Sequence, residues 1–203
     1  DARIVHMVRD PRDRYASVRR RFGRDVARVG AATARWLFSI RVARRNQRRY
    51  PANYLIVRFE DLASAPEETM RRVCAFIGEE YTPAMLTMEG APEHRDKGGN
   101  SSFGKIEPGV IATSPIGRFR TVLTGAEIEF IQLWAGRDML ALGYRPEPVQ
   151  MAPARRLAFF LAELPLNVGR MLGWLSLSAA AMRRGIRVPA GRLLDLPASP
   201  GGA

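Results

Sequence analysis

The apolar run Ile4-Val-His-Met-Val8 passes without a spacer into Arg9-Asp10-Pro11-Arg12-Asp13, which fixes a strand, a turn and a helix start in immediate succession. Ala2–Val8 is nearly continuously apolar and bounded by charge, the pattern of a strand buried on both faces in a parallel sheet. Pro11 has no N–H to leave unsatisfied and is held near helical φ, and Asp10 is a good cap for such a turn. A helix is therefore predicted to begin here and to bury Tyr15, Val18 and Phe22. Asn53–Phe59 repeats the strand pattern, and between the two runs Val26, Val29, Trp36, Leu37 and Ile40 recur at helical spacing among arginines. Strand, helix and strand predict a right-handed crossover unit. The fold class that follows is α/β, a parallel sheet flanked by helices.

Further along, Ser-Ala-Pro-Glu-Glu from Ser64 predicts a second helix start, with Ser64 and Glu67 as a capping box, Pro66 in the first turn and Gly78 at the stop. Thr124 and Glu127 predict another capping box, on a helix that stops at Gly143. The Gly-, Ser- and Pro-rich stretch from about residue 89 to 115 is too long for a plain connector and reads as a functional or disordered loop. The compact domain is expected to span residues 1–144. Residues 145–203 read as a proline-punctuated linker and a helical C-terminal extension with a disordered tail. Within that extension, residues 155–184 are apolar and Arg-flanked but interrupted by Glu163, Pro165 and Arg170. Two placements stay open for it: a peripheral membrane interface, or packing on the domain or on another copy in a homo-oligomer.

Composition narrows the chemistry. The net charge is +12, and Lys97 and Lys105 are the only lysines, so arginine carries the excess. That excess points to anionic partners: nucleotides, nucleic acid or acidic membrane. Cys74 is the single cysteine and His6 and His94 the only histidines, which excludes an intrachain disulfide and a thiolate cluster and leaves too few imidazoles for a histidine-built metal site. A lone thiol suits a reducing compartment, and the expected location is cytoplasmic with membrane association left open. The chain opens on Asp1 and runs at once into a strand, so it is expected to be a piece whose amino-terminal part is missing.

In open parallel sheets, ligands collect beyond the carboxyl ends of the strands, where loops enter helix amino termini. Arg9 sits at that edge with a rigid fork of donors suited to a phosphate, next to the free N–H groups and positive dipole end of a helix start. Ser17 lies about two turns into the helix, where its hydroxyl can reach the same anion. The plainer alternative is that Arg9 pairs with Asp13 and Ser17 does nothing.

The segment Val-Arg-Asp-Pro-Arg-Asp-Arg-Tyr-Ala-Ser, residues 8–17, resembles the 3′-phosphate-binding segment of sulfotransferases that use 3′-phosphoadenosine 5′-phosphosulfate: Arg-Asn/Asp-Pro-Arg/Lys-Asp, then Ser eight positions after the Arg. Tyr-Leu-Ile-Val-Arg-Phe-Glu-Asp-Leu from Tyr54 is similar to the family's next strand, and Ser114-Pro-Ile-Gly117-Arg118-Phe119 to its later nucleotide loop. Leu-Ala-Leu-Gly-Tyr, ending at Tyr144, matches the usual close of the domain. The resemblance implies an N-terminally truncated, P-loop NTPase-like sulfotransferase fold over roughly residues 2–144. It also implies a nucleotide site formed by Arg9, Ser17, Phe59, Ser114, Gly117 and Arg118. The implied reaction moves a sulfuryl group from the sulfonucleotide to a hydroxyl or amine acceptor, needs no metal and involves no nucleic acid as partner.

Departures from the pattern are specific. Phe59 stands where the family often has Tyr near the adenine, Phe119 replaces a Trp, and Ala112–Ser114 replaces an Arg-Lys-Gly triplet. The Gly- and Ser/Thr-rich loop with a Lys that cradles the 5′-phosphosulfate is not among these residues, nor is a recognisable general base, so no catalytic residue is assigned and a chain of this extent is expected to be inactive. His6 reads as a packed core residue, while the acceptor is expected to contact the long loop around His94 to Phe103. Two other classes remain as alternatives. A P-loop kinase-like nucleotide-binding protein would share the sheet. A basic nucleic-acid-binding module would use the arginines between Arg9 and Arg49, although the aromatic residues there sit at buried helical spacing.

Overall fold

The computed structural model describes residues 2–23, 28–87 and 111–183. Strand β1 (Ile4–Val8) leads into α1 (Pro11–Phe22) and α2 (Val29–Arg49), after which β2 (Tyr54–Arg58) returns parallel to β1. The register pairs Ile4 with Tyr54 and Val8 with Arg58. Short α3 (Phe59–Ser64) follows β2 directly, then α4 (Pro66–Ile77) and the single turn α5 (Ala84–Thr87). After residue 111 come α6 (Phe119–Val122), α7 (Gly125–Leu140), α8 (Pro153–Ala158), a π-helical turn (Phe159–Glu163) and α9 (Leu164–Arg183). The architecture is α/β with a small two-stranded parallel sheet and many helices.

The core lies where α1, α2 and α7 meet the carboxyl end of β1. Val8, Tyr15, Trp36, Leu37, Ile40, Phe130, Ile131 and Met139 are buried together, with Phe119 and Phe159 closing its ends. The predicted α1 face is partly right: Tyr15 is buried, while Val18 and Phe22 are only half-covered. β1 differs more from expectation. Ile4 and Met7 are about half exposed, and only Val8 is buried, because no described element beyond β2 and the helix layer packs on the strand's first residues.

Helix ends follow local chemistry where it has no competitor. Asp10 caps α1, its carboxylate accepting the Arg12 N–H at 2.8 Å, and Thr124 and Glu127 form the expected reciprocal box on α7. Gly78 closes α4 in the left-handed conformation, φ +83°. The predicted Ser64–Glu67 box does not form. Ser64 is the last residue of α3, Ala65 occupies the cap position of α4, and Glu67 accepts from Arg71 at 2.8 Å instead. The preceding Phe-Glu-Asp-Leu turn becomes helical in its own right and takes Ser64 with it.

The extension packs on the domain. Asn167, Met171, Trp174 and Ser178 recur at helical spacing along the buried stripe of α9, which lies against α2, and Trp174 meets Phe38 edge-on with ring centroids 5.9 Å apart. The π turn precedes Pro165, which cannot donate to a carbonyl four residues back, and the ladder widens there to a Leu164 N–H bond onto the Phe159 carbonyl. None of the described helices is long and apolar enough to cross a membrane.

Candidate anion-binding site

Two backbone groups beside Arg9 are tied down by side chains. The Arg9 carbonyl accepts the indole N–H of Trp36 at 2.9 Å, and the next amide, on Asp10, donates to Glu60 Oε1 at 2.9 Å. Held this way at the mouth of β1, the Arg9 side chain turns toward α1. Its Nη1 is 3.5 Å from Ser17 Oγ, its Nη2 donates to the Pro115 carbonyl at 2.6 Å, and its Cζ lies 4.7 Å from the centroid of the Phe59 ring. The Arg9 Nε is buried and has no partner among the described residues. Three residues singled out from the sequence, Arg9, Ser17 and Phe59, are thus in one cluster, delivered by a strand end, by the second turn of a helix and by the first residue of α3.

The loop Ser114–Arg118 lies against this cluster through the Pro115 carbonyl. Gly117 has φ +76°, a conformation that costs an L side chain roughly 1–2 kcal/mol, which suits glycine to this turn. The loop is fastened by Asp13, whose two carboxylate oxygens accept the Gly117 N–H at 2.7 Å and the Phe119 N–H at 2.9 Å. Arg118 folds back on Ser114, with Nε to its carbonyl at 2.6 Å and Nη2 to its hydroxyl at 2.8 Å. Ser114 and Arg118 therefore belong to one hydrogen-bonded turn whose Pro115 carbonyl touches Arg9, while the Gly117 amide is committed to Asp13.

The electrostatics around Arg9 are mixed, with three carboxylates and a second guanidinium close by. Burial lowers the pKa of Arg9, the neighbouring Asp13, Glu60 and Asp10 carboxylates act against this, and the approach of Arg118 lowers it again. A guanidinium nevertheless stays cationic. Asp13, the expected partner, makes no direct ion pair with Arg9 among the described contacts, because both its oxygens serve the loop. Its own pKa is raised by burial, against the two N–H bonds that favour the charged form. Arg9 is accordingly a partly desolvated cation with a second arginine and three carboxylates nearby. An anion that contacts its guanidinium meets less competition from water than at an open surface, but also the repulsion of those carboxylates.

Several structural partners were not foreseen. Glu60 joins the start of α1 to Tyr144, just after α7, accepting from Asp10 N–H with one oxygen and from the Tyr144 hydroxyl with the other at 2.8 Å. Burial, then the Glu60 charge, pushes the Tyr144 pKa up. Arg12 and Arg19 are buried: Arg12 pairs with Asp10 at 2.7 Å and covers the Phe119 ring at 4.2 Å, and Arg19 pairs with Glu127. The alternation of Arg and Asp through Asp10–Asp13 was a signal for the Arg12–Asp10 pair, whereas the Arg19–Glu127 and Glu60–Tyr144 partners lie too far along the chain for spacing to show them. His6 is half-buried between Ser39 Oγ at 3.4 Å and the Tyr54 hydroxyl at 3.0 Å, and burial lowers its pKa. The acceptor region expected around His94 to Phe103 lies outside the described residues.

Comparison with known proteins bears on the same part of the chain. Residues 1–83 match the model of the Sulfotransferase family. Carbohydrate sulfotransferase 2 of Mus musculus and of Homo sapiens are each 33% identical to this chain over 102 residues, covering 48% of this chain and 19% of the relative. The chain thus spans about a fifth of the length of the curated relatives it matches. No solved structure gives a significant match. The segment that carries β1, the Arg9–Ser17 contact, β2 and Phe59 is the segment that matches, so the similarity supports a sulfotransferase family domain over residues 1–83.

Proposed function

We propose that the chain carries the 3′-phosphate-binding half of a P-loop-like sulfotransferase that uses 3′-phosphoadenosine 5′-phosphosulfate. The observation that carries this reading is the convergence of the Arg9 guanidinium and the Ser17 hydroxyl to 3.5 Å, beside the start of α1. A phosphate entering here would draw Nη1 and Oγ apart onto separate oxygens and would find the unpartnered Arg9 Nε as a further donor. Phe59, beneath Arg9, offers a ring for the adenine, and the Ser114–Arg118 turn supplies a second cation.

In this reading the acceptor hydroxyl or amine attacks the sulfur in line, the bond from sulfur to the bridging oxygen breaks, and 3′-phosphoadenosine 5′-phosphate leaves. Such a transfer depends on positioning and on stabilising charge at the bridging and equatorial oxygens rather than on covalent help from the protein. Arg9 and Ser17 contribute positioning: they hold the far end of the nucleotide and distinguish it from nucleotides without a 3′-phosphate.

The test is calorimetric titration of the chain with 3′-phosphoadenosine 5′-phosphate and, separately, with adenosine 5′-monophosphate. Preference for the first, lost in Arg9→Ala, is the expected outcome. Equal affinity for the two, or an unchanged preference in the variant, overturns the reading.

A further inference from the structure

Helix α2 changes character along one face. Phe38 on that face is followed, at three- and four-residue steps, by Arg41, Arg45 and Arg48. Helices α7 and α9 both pack on α2, and a groove of about 620 Å³ runs over it between them. Trp134 of α7 and Leu172 and Leu175 of α9 form the apolar walls, yet Leu172 is 55% exposed. The cationic end opens onto a recess where Arg41 and Arg44 share the single carboxylate of Asp138, with Arg48 and Arg137 beside them. Arg45 and Arg48 have no acidic partner among the described residues.

The groove therefore sets solvent-facing leucine and tryptophan beside a cluster of arginines with one counter-charge. A ligand with an apolar chain and an anionic head relieves both features at once. The apolar surface also continues past the groove: Leu157, Leu161, Leu166 and Leu177 are all more than half exposed along α8, the π turn and α9. That stretch is longer than one small amphiphile covers and matches a helix lying in the plane of a lipid interface. We propose that α9 and the arginine end of α2 form a docking surface for an anionic phospholipid bilayer, with the leucines at the acyl boundary and headgroup phosphates at Arg45 and Arg48. The inference is independent of the nucleotide reading, since the groove shares no residue with the Arg9 cluster.

The test is co-sedimentation of the 203-residue chain with vesicles of phosphatidylcholine alone or mixed with phosphatidylglycerol. Binding is expected to the mixed vesicles, to weaken as salt is raised, and to fall by about tenfold or more in Arg45→Glu/Arg48→Glu. Arg20→Glu/Arg72→Glu, on exposed positions of α1 and α4, makes the same charge change away from the groove and should keep most of the binding. Equal loss in both double variants would mean that binding follows net charge, and it overturns the assignment of the site. So does undiminished binding by Leu172→Ser/Leu175→Ser with native circular dichroism, or absence of binding by the unaltered chain. A dimer that the leucine variant dissolves, in place of vesicle binding, would give the groove to a second copy and also overturns the proposal.

Discussion

Asp13 and Gly117 are 104 positions apart in the chain and joined by a 2.7 Å hydrogen bond, the carboxylate accepting the glycine amide while its other oxygen accepts from Phe119. One buried carboxylate thus sets where the Ser114–Arg118 turn sits against Arg9. In Asp13→Asn the amide has one acceptor oxygen, and its NH2 faces a backbone donor that no longer has a partner. Leaving a buried donor unsatisfied costs about 1–3 kcal/mol, so a loss of stability of that size is expected in urea denaturation. A change below a few tenths of a kcal/mol would show that the loop does not depend on this clamp.

What could be read from the sequence and what could not divides along sequence separation. The strand, Asp10 cap and Pro11 start, the Thr124–Glu127 box and the Gly78 stop are set by residues within four positions of each other, and each appears as expected. The proximity of Arg9 and Ser17 was legible because a strand end and a helix pitch fix it, while Phe59 was expected at the same site only from the resemblance. The plainer alternative, an Arg9–Asp13 ion pair, does not form, because both oxygens of Asp13 serve a segment that spacing could not show. The Ser64–Glu67 box failed because a competing helical turn, Phe59–Ser64, claimed the cap residue. The apolar run of β1 announced a strand, but its exposure depends on what packs against it, which no local pattern encodes.

Arg9 bridges Ser17, Pro115 and the Phe59 ring with separate parts of one planar group, which an ammonium cannot reproduce. Arg9→Lys keeps the charge and loses the fork. On the proposed function, affinity for 3′-phosphoadenosine 5′-phosphate should fall about 10- to 100-fold, the equivalent of one charge-assisted contact, with little change for adenosine 5′-monophosphate. Titration calorimetry of the two ligands reads this directly, and an equal fall for both would place the effect elsewhere than at the 3′-phosphate.

Glu60 serves Asp10 N–H and the Tyr144 hydroxyl with different oxygens, so two segments 134 positions apart share one buried carboxylate. Tyr144→Phe should destabilise by about 1.5–3 kcal/mol, since it removes a hydrogen bond to a charged group. In a Glu60→Gln background the same change should cost at least about 1 kcal/mol less, because the charge it served is gone. Additive effects in this double-mutant cycle would show that the hydroxyl and the carboxylate are not coupled.

Glu147 is held below the usual carboxylate range by its hydrogen bond from Arg120, with burial acting in the opposite sense. A depressed folded-state pKa means that this group's contribution is present above its unfolded value and is lost as pH falls through the folded one. The pair is largely exposed, so the contribution is at most about 1 kcal/mol. Thermal melts of Glu147→Gln and the parent chain should differ near neutral pH and converge in acid. A gap that widens on acidification would contradict the pairing.

Gly30 marks the closest approach of α2 to α9. A Cβ built there would lie 2.0 Å from the Asn167 carbonyl oxygen and 2.8 Å from the Asn167 carbonyl carbon, and both are backbone atoms that cannot rotate aside. Gly30→Ala therefore has to move α9 as a whole, unlike a substitution that meets the end of a flexible side chain. Alanine would otherwise favour the helix by up to about 1 kcal/mol, so propensity and packing oppose one another and packing should win. A net loss of about 1–3 kcal/mol is expected in denaturant melts, with faster amide exchange confined to α9 and the α2 turn beneath it. Slower exchange, or a gain in stability, would mean that the two helices do not pack this closely in solution.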